Sequence, residues 1–551
     1  MKEIYYNGHI YQKKGMESEA MGVEEGMITF VGSRQEAEVW AAGGETHYHD
    51  LFGTFVVPGL IDSHMHLLAY GYGQGMVDLR KRTSSLNDLL QCLAEYNNSS
   101  MDREEEWIIG RGFHQDDFQD EKRFPTRYDL DRISRDRPIL IIRSCGHIAI
   151  ANSAALLIAH ITKKTPQPAG GRIDVDENGE PTGILREYGI DCVSRFIPKP
   201  GKDKIKQYLL LGMKKLNAYG ITSVQSDDFG AFSGVNYETV IQAYKELEAE
   251  GHLTVKVYEQ CLLSEMESLK DFLFKGYRTG VGTSYFTIGP LKIIADGSLG
   301  ARTAYLETPY ADQPDHRGIL IYSQKELEEK IAFGVEHGMQ VAIHAIGDGA
   351  MNAVVNAFSK VQMDEKDNKR RHGIVHAQIT TKELIKQFQR LNLHVYIQSV
   401  FLNQDNHIIE KRVGKQRAED TYLYRTLFDL GIEVSNGSDA PVEEPSVLSG
   451  IQCAVTRTTL DGTKQFLPNQ ALTVEEALET YTAMGAKASF EEKKKGMLLP
   501  GMAADFTILS EDLRHCNPER IKDIKVLKTY VDGVCVYDAK DPSYHLDSKS
   551  R

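Results

Sequence analysis

The chain reads Val56-Val57-Pro58-Gly59-Leu60-Ile61-Asp62-Ser63-His64-Met65-His66, an apolar stretch that ends in two histidines. Residues 56–62 are typical of a buried β-strand. Side chains two residues apart on a strand point to the same face, so His64 and His66 can contact one ion together. Neutral imidazole is the commonest metal ligand in proteins. The spacing therefore predicts a metal-binding pair, and two polar loop histidines are the alternative interpretation.

Apolar strands alternate with amphipathic helices along most of the chain. The eight candidate strands are 56–62, 221–225, 254–259, 286–295, 340–344, 373–376, 394–398 and 432–437. Helices are predicted between them, for example over 326–337 and 473–488, where apolar residues recur with a period of about 3.6. Eight strand–helix repeats predict an α/β fold, a parallel TIM-like (β/α)8 barrel. A doubly wound open sheet is the competing fold.

Three later strands end in the same way as the first. The apolar runs QVAIH (340–344) and GIVH (373–376) end in His344 and His376, and Asp439 follows the strand at 432–437. The carboxyl ends of barrel strands meet at one mouth, where active sites are built. We therefore expect these side chains to lie together, whereas the alternative is a set of unrelated core histidines.

The two ends of the chain consist of short strands separated by turns, and Asp532-Gly533 between two apolar runs predicts a hairpin. Residues 67–204 separate the first two barrel strands and are far too long for an ordinary loop. The predicted domains are a composite β-sandwich domain from both termini (1–52 plus 497–545), the barrel (53–66 plus 205–496) and an inserted α+β domain that covers the active-site mouth (67–204).

The composition excludes several classes of protein. Lys plus Arg number 64 and Asp plus Glu 78, giving a net charge of −14, whereas nucleic-acid and anionic-membrane binders need a basic face. The sequence has no apolar run of roughly 20 residues, and we expect no signal peptide because its start lacks an apolar stretch followed by a small-residue cleavage site. Seven scattered cysteines without a C-x-x-C pair indicate reduced thiols. We expect a cytoplasmic protein with a small-molecule substrate and no nucleic-acid or membrane partner, and a homodimer is compatible with this composition.

The stretch from Pro58 to His66 resembles the opening signature of the amidohydrolase superfamily. Four later blocks resemble its YtcJ-like branch, which includes N-substituted formamide deformylase: GPLKIIADGS (289–298), HAIGD (344–348), HAQ (376–378) and GSDAP (437–441). The segment GMAADF (501–506) is similar to the return of that family's chain into the composite β domain. The resemblance covers nearly the whole chain, and the ordered set is more specific than any single block.

The resemblance implies a set of metal ligands. These are His64 and His66 for the more buried ion, His344 and His376 for a second ion, and Lys292 and Asp439. Lys292 matches the position where the family can carry a carboxylated lysine bridging two metals, and a plain lysine paired with Asp296 is the alternative. Without the bridge, one ion on His64, His66 and Asp439 remains. Zinc is the expected metal, one or two per chain, although these ligands also admit iron or manganese.

Four further polar residues are candidates for substrate binding, namely His147, Asp296, Arg302 and Gln378. The segment RSCGH (143–147) resembles a substrate-proximal block, in which His147 would donate a hydrogen bond to the substrate carbonyl. The other three lie near strand ends, where they could equally cap local backbone.

The expected activity is hydrolysis of a C–N bond of amide or formamide type by metal-activated hydroxide. A metal lowers the pKa of bound water from 15.7 toward about 7. The resemblance implies that Asp439 is the general base, carrying the proton from the attacking water to the departing amine; a helix-capping role is its alternative. The rival functions are a non-catalytic or regulatory protein with the same barrel, and a metal-dependent isomerase or lyase.

Overall fold

The computed structural model describes residues 2–42, 45–80, 84–98, 107–143, 148–168, 170–361 and 368–544. These residues divide into two compact units. The larger unit contains the described residues up to Tyr70 and from Gly212 onward, and the smaller unit contains Gly71–Leu211. In the part of the chain that is described, no helix has the length and apolar character that a membrane span needs.

The described strands form three sheets. The first six strands are β1 (Lys2–Lys13), β2 (Met16–Glu24), β3 (Met27–Gly32), β4 (Thr46–Asp50), β5 (Phe55–Pro58) and β6 (Leu60–Met65). The smaller unit contains β7 (Val77–Asp78), β8 (Ile108–Phe113), β9 (Ile139–Arg143), β10 (Ile148–Ala151), β11 (Gly171–Val175) and β12 (Pro181–Glu187). The larger unit continues with β13 (Ile221–Ser226), β14 (Lys256–Leu262), β15 (Phe286–Ile294), β16 (Val341–Ala345), β17 (Gly373–His376), β18 (His394–Ile397), β19 (Val434–Asn436), β20 (Phe506–Leu509), β21 (Val526–Val531) and β22 (Val534–Asp538).

The α-helices lie between these strands. Up to the second barrel strand they are Arg34–Ala41, Leu67–Gln74, Leu86–Asn98, Arg127–Leu130, Ser153–Ile158, Asp191–Ser194 and Lys202–Ala218. Those after it are Tyr237–Ala249, Met266–Phe274, Gln324–Glu336, Asp348–Lys360, Lys382–Arg390, Leu402–Asp405, Ile409–Val413, Lys415–Ala418, Tyr424–Asp429, Val447–Thr456, Val474–Thr480 and Ala483–Ala488. The helix at Val474 begins with a capping box between Thr473 and Glu476, in the segment predicted to be helical.

One of the two eight-stranded sheets is an all-parallel barrel. Its strands follow chain order, β6-β13-β14-β15-β16-β17-β18-β19. Two backbone hydrogen bonds join its ends: Asp439 N–H donates to the His64 carbonyl, and His66 N–H donates to the Ala440 carbonyl, each at 2.8 Å. The predicted (β/α)8 barrel is confirmed, and its closure brings the segments after β6 and β19 side by side.

The first predicted strand, 56–62, is in fact two strands in two sheets. β5 pairs antiparallel with β20 in the terminal sheet, whereas β6 starts the barrel. Pro58 has no N–H to continue a ladder. At Gly59 a Cβ atom would lie 2.2 Å from Thr222 Oγ1, so only glycine lets the backbone pass there. The Pro58-Gly59 pair therefore marks the crossing between sheets.

The termini share one sheet of eight strands, ordered β22-β21-β20-β5-β1-β2-β3 with β4 beside β1. Three strand spacings, about 14 Å, separate β1 from β21 in a flat sheet. Yet the ring of Tyr5 packs 5.5 Å from that of Tyr530, so the sheet folds over itself around a shared core. This is the predicted composite β domain, with both sandwich layers supplied by one sheet. Asp532 and Gly533, with φ of 46° and 74°, form the predicted hairpin turn.

The smaller unit is an α+β structure, as predicted for the inserted segment. Its six strands have the order β11-β12-β10-β9-β8-β7. Ile139 and Ile141 pack into the apolar cluster on one face of this sheet and Leu140 into the cluster on the other. The numerical boundaries of the three domains and the covering role of the insert stay predictions.

Candidate metal centre

Three predicted ligands meet at the barrel mouth. The Nε2 atoms of His64 and His66 lie 3.2 and 3.1 Å from the same oxygen, Asp439 Oδ1. All three donor atoms lie within 4.8 Å of one another. Ligands about 2.1 Å from a tetrahedral ion stand about 3.4 Å apart, so the three residues fit one cation. His64 is buried, whereas the side chain of His66 is 31% exposed and marks the open side.

The imidazole rings are held by their other nitrogen atoms. These contacts join His64 Nδ1 to Gln260 Oε1 at 2.7 Å, His66 Nδ1 to the Asp227 carbonyl at 3.1 Å, and His376 Nδ1 to Gln398 Oε1 at 2.7 Å. A proton on Nδ1 in these contacts leaves the Nε2 lone pair for a metal. Such outer contacts fix both the tautomer and the orientation of a ligand.

His376 and His344 lie beside these three residues. The His344 and His376 rings are 4.4 Å apart, and the His64 and His376 rings are 5.4 Å apart. His344 Nε2 is 3.2 Å from the Gly297 carbonyl and 3.4 Å from Asp296 Oδ1. The structure thus places all four histidines at one end of the barrel, and a second ion on His344 and His376 stays a prediction.

Lys292 is buried against the same cluster, with Nζ 3.2 Å from His64 Nε2. Burial lowers the pKa of its ammonium group to about 8, although the charges of Asp227 and Asp439 oppose this shift. Asp296, the alternative partner, instead accepts backbone N–H groups from Tyr305, Ile346 and Gly347 at 2.8–3.0 Å. Lys292 is therefore not paired with Asp296, and its carboxylation stays a prediction.

Opposing electrostatic effects act on the three clustered ligands. Burial and the charge of Lys292 lower the pKa of His64 to about 4. Burial also acts to lower the pKa of His66, but the Asp439 carboxylate outweighs it and raises the value to about 9. Burial alone would raise the pKa of Asp439, yet its hydrogen bonds to the two histidines hold it well below the usual range. A divalent cation competes with the proton that these groups share.

Four contributing residues were absent from the sequence-based prediction. Asp62 accepts the Ser438 hydroxyl at 2.5 Å and the His64 N–H at 3.2 Å, which ties β6 to the segment that carries Asp439. The other three residues are Gln260, Gln398 and Asp227. Each lies at the end of a predicted strand or just beyond it, so the position that identified the histidines could also have identified these residues.

The predicted substrate-binding residues have different surroundings. Arg302 is paired with Asp312 at 2.8 Å. Gln378 is buried, and its Oε1 has no hydrogen-bond partner in the described part of the chain. Asp296 is occupied by backbone donors, and His147 lies outside the described residues. Roles for these four in substrate binding stay predictions.

The sequence and the fold match known proteins over almost their full length. The model of the Amidohydrolase family matches residues 48–537. YtcJ of Bacillus subtilis (strain 168), named as an amidohydrolase, is 34% identical over 98% of this chain and all of its own. N-substituted formamide deformylase of Arthrobacter pascens is 27% identical over 95% of each chain. An uncharacterized metal-dependent hydrolase from Pyrococcus horikoshii has a crystal structure that superposes with a TM-score of 0.77 and 28% identity, covering 94% of this chain and 99% of its own. The chain belongs to the amidohydrolase family.

Proposed function

We propose that the protein is a metal-dependent hydrolase that cleaves a carbon–nitrogen bond of amide or formamide type in a small molecule. The observation that carries this proposal is the convergence of His64, His66 and Asp439 at the barrel mouth. Membership of the amidohydrolase family and the match to a formamide deformylase support the bond type.

The donor set suits a divalent cation. When bound, such an ion lowers the pKa of a coordinated water from 15.7 toward about 7 and polarises a substrate carbonyl. Two imidazoles and one carboxylate are typical of zinc, which is the metal that we propose. Lys292, once deprotonated, is the proposed site of carboxylation, and His344 and His376 complete the proposed site for a second ion.

The residues of the chain supply orientation and proton transfer. Gln260 and the Asp227 carbonyl hold the rings of His64 and His66 in place. Asp439 projects from the segment after β19, and its carboxylate is ionised at neutral pH. In the proposed reaction it takes a proton from the attacking water and passes it to the departing nitrogen.

The experiment that tests this function is turnover of a panel of N-formyl and N-acyl amines in ¹⁸O-labelled water, with and without a chelator. A hydrolase incorporates labelled oxygen into the acid product, and chelation abolishes the reaction. Turnover without label would indicate an isomerase or lyase, and complete absence of metal-dependent turnover would favour a regulatory role.

The proposed location of the protein is the cytoplasm. The support is the chemistry of its cysteines: each one in the described residues is a free thiol. Reduced thiols are typical of intracellular compartments. Fractionation of cells that express the tagged protein tests this proposal.

A further inference from the structure

Asp227 carries a buried carboxylate to which no described residue donates a hydrogen bond. Its residue surface is 1% exposed, and neither Oδ1 nor Oδ2 has a partner among the residues that the structure describes. The neighbouring Asp228 is equally buried but accepts from the Leu68 N–H and from the hydroxyls of Ser226 and Tyr244. Burial of an unpaired carboxylate is unfavourable. A donor from outside the described chain would remove this penalty.

The backbone of Asp227 places the residue directly beside the metal centre. It follows the last residue of β13, and its N–H donates to the Met65 carbonyl at 2.9 Å. Its carbonyl contacts His66 Nδ1 at 3.1 Å, while Asp439 contacts Nε2 of the same ring at 3.1 Å. His66 is therefore flanked by Asp227 on one edge and by Asp439 on the other.

Asp227 adjoins the cation site through its backbone carbonyl, and its carboxylate is outside the ligand set. The group of donor atoms that lie within 4.8 Å of one another consists of His64, His66 and Asp439 and does not include Asp227. The Asp227 carbonyl contacts His66 Nδ1 at 3.1 Å, so the residue lies next to the cation site. It is thus an acceptor at the mouth of the barrel that is available for a ligand.

We propose that Asp227 binds the N–H group of the amide being cleaved. This inference rests on the proposed function and names the substrate class: secondary amides, R–CO–NH–R′, are preferred over tertiary amides without an N–H. Asp439 must reach the departing nitrogen to protonate it. Asp227 contacts the other edge of the His66 ring that Asp439 contacts, so both residues lie close to the bond that is cleaved. A buried acceptor that is left unpaired by a tertiary amide disfavours that substrate. After cleavage, the same carboxylate accepts the N–H groups of the amine product.

The test compares kcat/KM for N-butylformamide and N-butyl-N-methylformamide in the wild type, Asp227→Asn and Ser223→Ala. Ser223 is the matched control, because its hydroxyl is also buried on β13 and has no partner in the described parts of the chain, but it lies four residues before Asp227. We expect the wild type and Ser223→Ala to prefer the secondary formamide by at least about tenfold. Asp227→Asn should reduce this ratio to about threefold or less. An unchanged ratio in Asp227→Asn, or a loss of bound metal in that variant, would overturn the inference.

Two further measurements separate this inference from the proposed function. Calorimetric titration with butylamine should show binding by the wild type that is about tenfold weaker in Asp227→Asn, even if no formamide is cleaved. Equal affinity in the two proteins, or no binding by either, would contradict the role of Asp227. The melting temperature of Asp227→Asn should equal or exceed that of the wild type, because an unpaired buried charge is removed. A clear decrease would instead assign the carboxylate a structural role.

Discussion

Asp439 has the most constrained position in the metal centre. One of its oxygens contacts two imidazoles, its N–H closes the barrel, and its backbone has a left-handed φ of 58°. Such a conformation is unfavourable for a residue with a side chain and is concentrated at functional sites. The constraint directs the carboxylate toward His64 and His66 and leaves little freedom for a different geometry.

Carboxylation of Lys292 can be tested by substitution of this residue. If it is carboxylated and bridges two ions, Lys292→Ala should reduce the metal content of the protein from two ions per chain to one, because a shared ligand is lost. Lys330→Ala is the matched control, since Lys330 is also buried with a pKa lowered to about 8 but donates to the Ser264 carbonyl. Elemental analysis of the purified variants provides the measurement. Equal metal content in the wild type and Lys292→Ala would exclude the bridge.

Asp296 shows why the alternation of side chains along a strand does not predict contacts beyond the end of that strand. Alternation along a strand places Lys292 and Asp296 on one face, which favours their pairing. β15, however, ends at Ile294, so Asp296 lies beyond the strand and the alternation no longer applies. Its carboxylate instead binds backbone N–H groups of later segments. Residue spacing predicts a shared face only as far as the strand extends.

At the scale of the elements, the glutamines at strand ends orient the histidines. Gln260 also donates from Nε2 to the Ser63 carbonyl at 3.2 Å, which fixes the amide and hence the ring of His64. We expect Gln260→Leu to weaken metal binding by about 10- to 100-fold, as the loss of such outer contacts generally does. Competition with a chromogenic chelator measures this affinity.

Gln242→Leu is the control for Gln260→Leu, because Gln242 is exposed on a helix. It should leave metal affinity unchanged, because Gln242 is exposed and donates to Glu246 on the same helix, away from the metal centre. Wild-type affinity in Gln260→Leu would show that the hydrogen bond to His64 Nδ1 does not contribute to metal binding.

The eight barrel strands were predictable because each is a mainly apolar run and amphipathic helices separate the runs. The division at Pro58-Gly59 was less apparent, since the residues on both sides of this pair are apolar and read as one strand. The glutamine and aspartate partners of the histidines were missed for another reason. Their positions at strand ends mark them as residues of the barrel mouth, but the histidine that each one contacts is visible only when β14 and β18 are placed beside their neighbours.

At the scale of the whole molecule, a buried ion cluster joins the barrel to the terminal sheet within the larger unit. Lys256 on β14 bonds to both oxygens of Asp505 at 3.0 and 2.8 Å and to Asp532 at 2.6 Å. Lys256→Met would leave the buried Asp505 without its cation. We expect a loss of about 3–5 kcal/mol in the free energy of unfolding, measured by denaturant titration.

Lys275→Met is the control for this experiment. Lys275 forms an exposed pair with Glu238 and Asp271, and surface pairs of this kind contribute little. Its unfolding transition should coincide with that of the wild type. If Lys256→Met were equally stable, the cluster would not hold the two sheets together.

The sequence predicts both the inserted domain and the terminal β domain. The insert was predictable because the segment between the first two barrel strands is far longer than an ordinary loop. The helix Lys202–Ala218 belongs to the smaller unit up to Leu211 and to the larger unit from Gly212, and the predicted end of the insert at residue 204 stays a prediction. The terminal sheet could be predicted because neither set of end strands can bury a core alone.

The most direct test is the metal content of freshly purified protein, wild type against a His64→Ala/His66→Ala double variant whose folding is verified by circular dichroism. We expect at least one divalent transition-metal ion per chain in the wild type and almost none in the variant. A wild type that hydrolyses its substrate without bound metal, or a double variant that retains the full metal content, would contradict it.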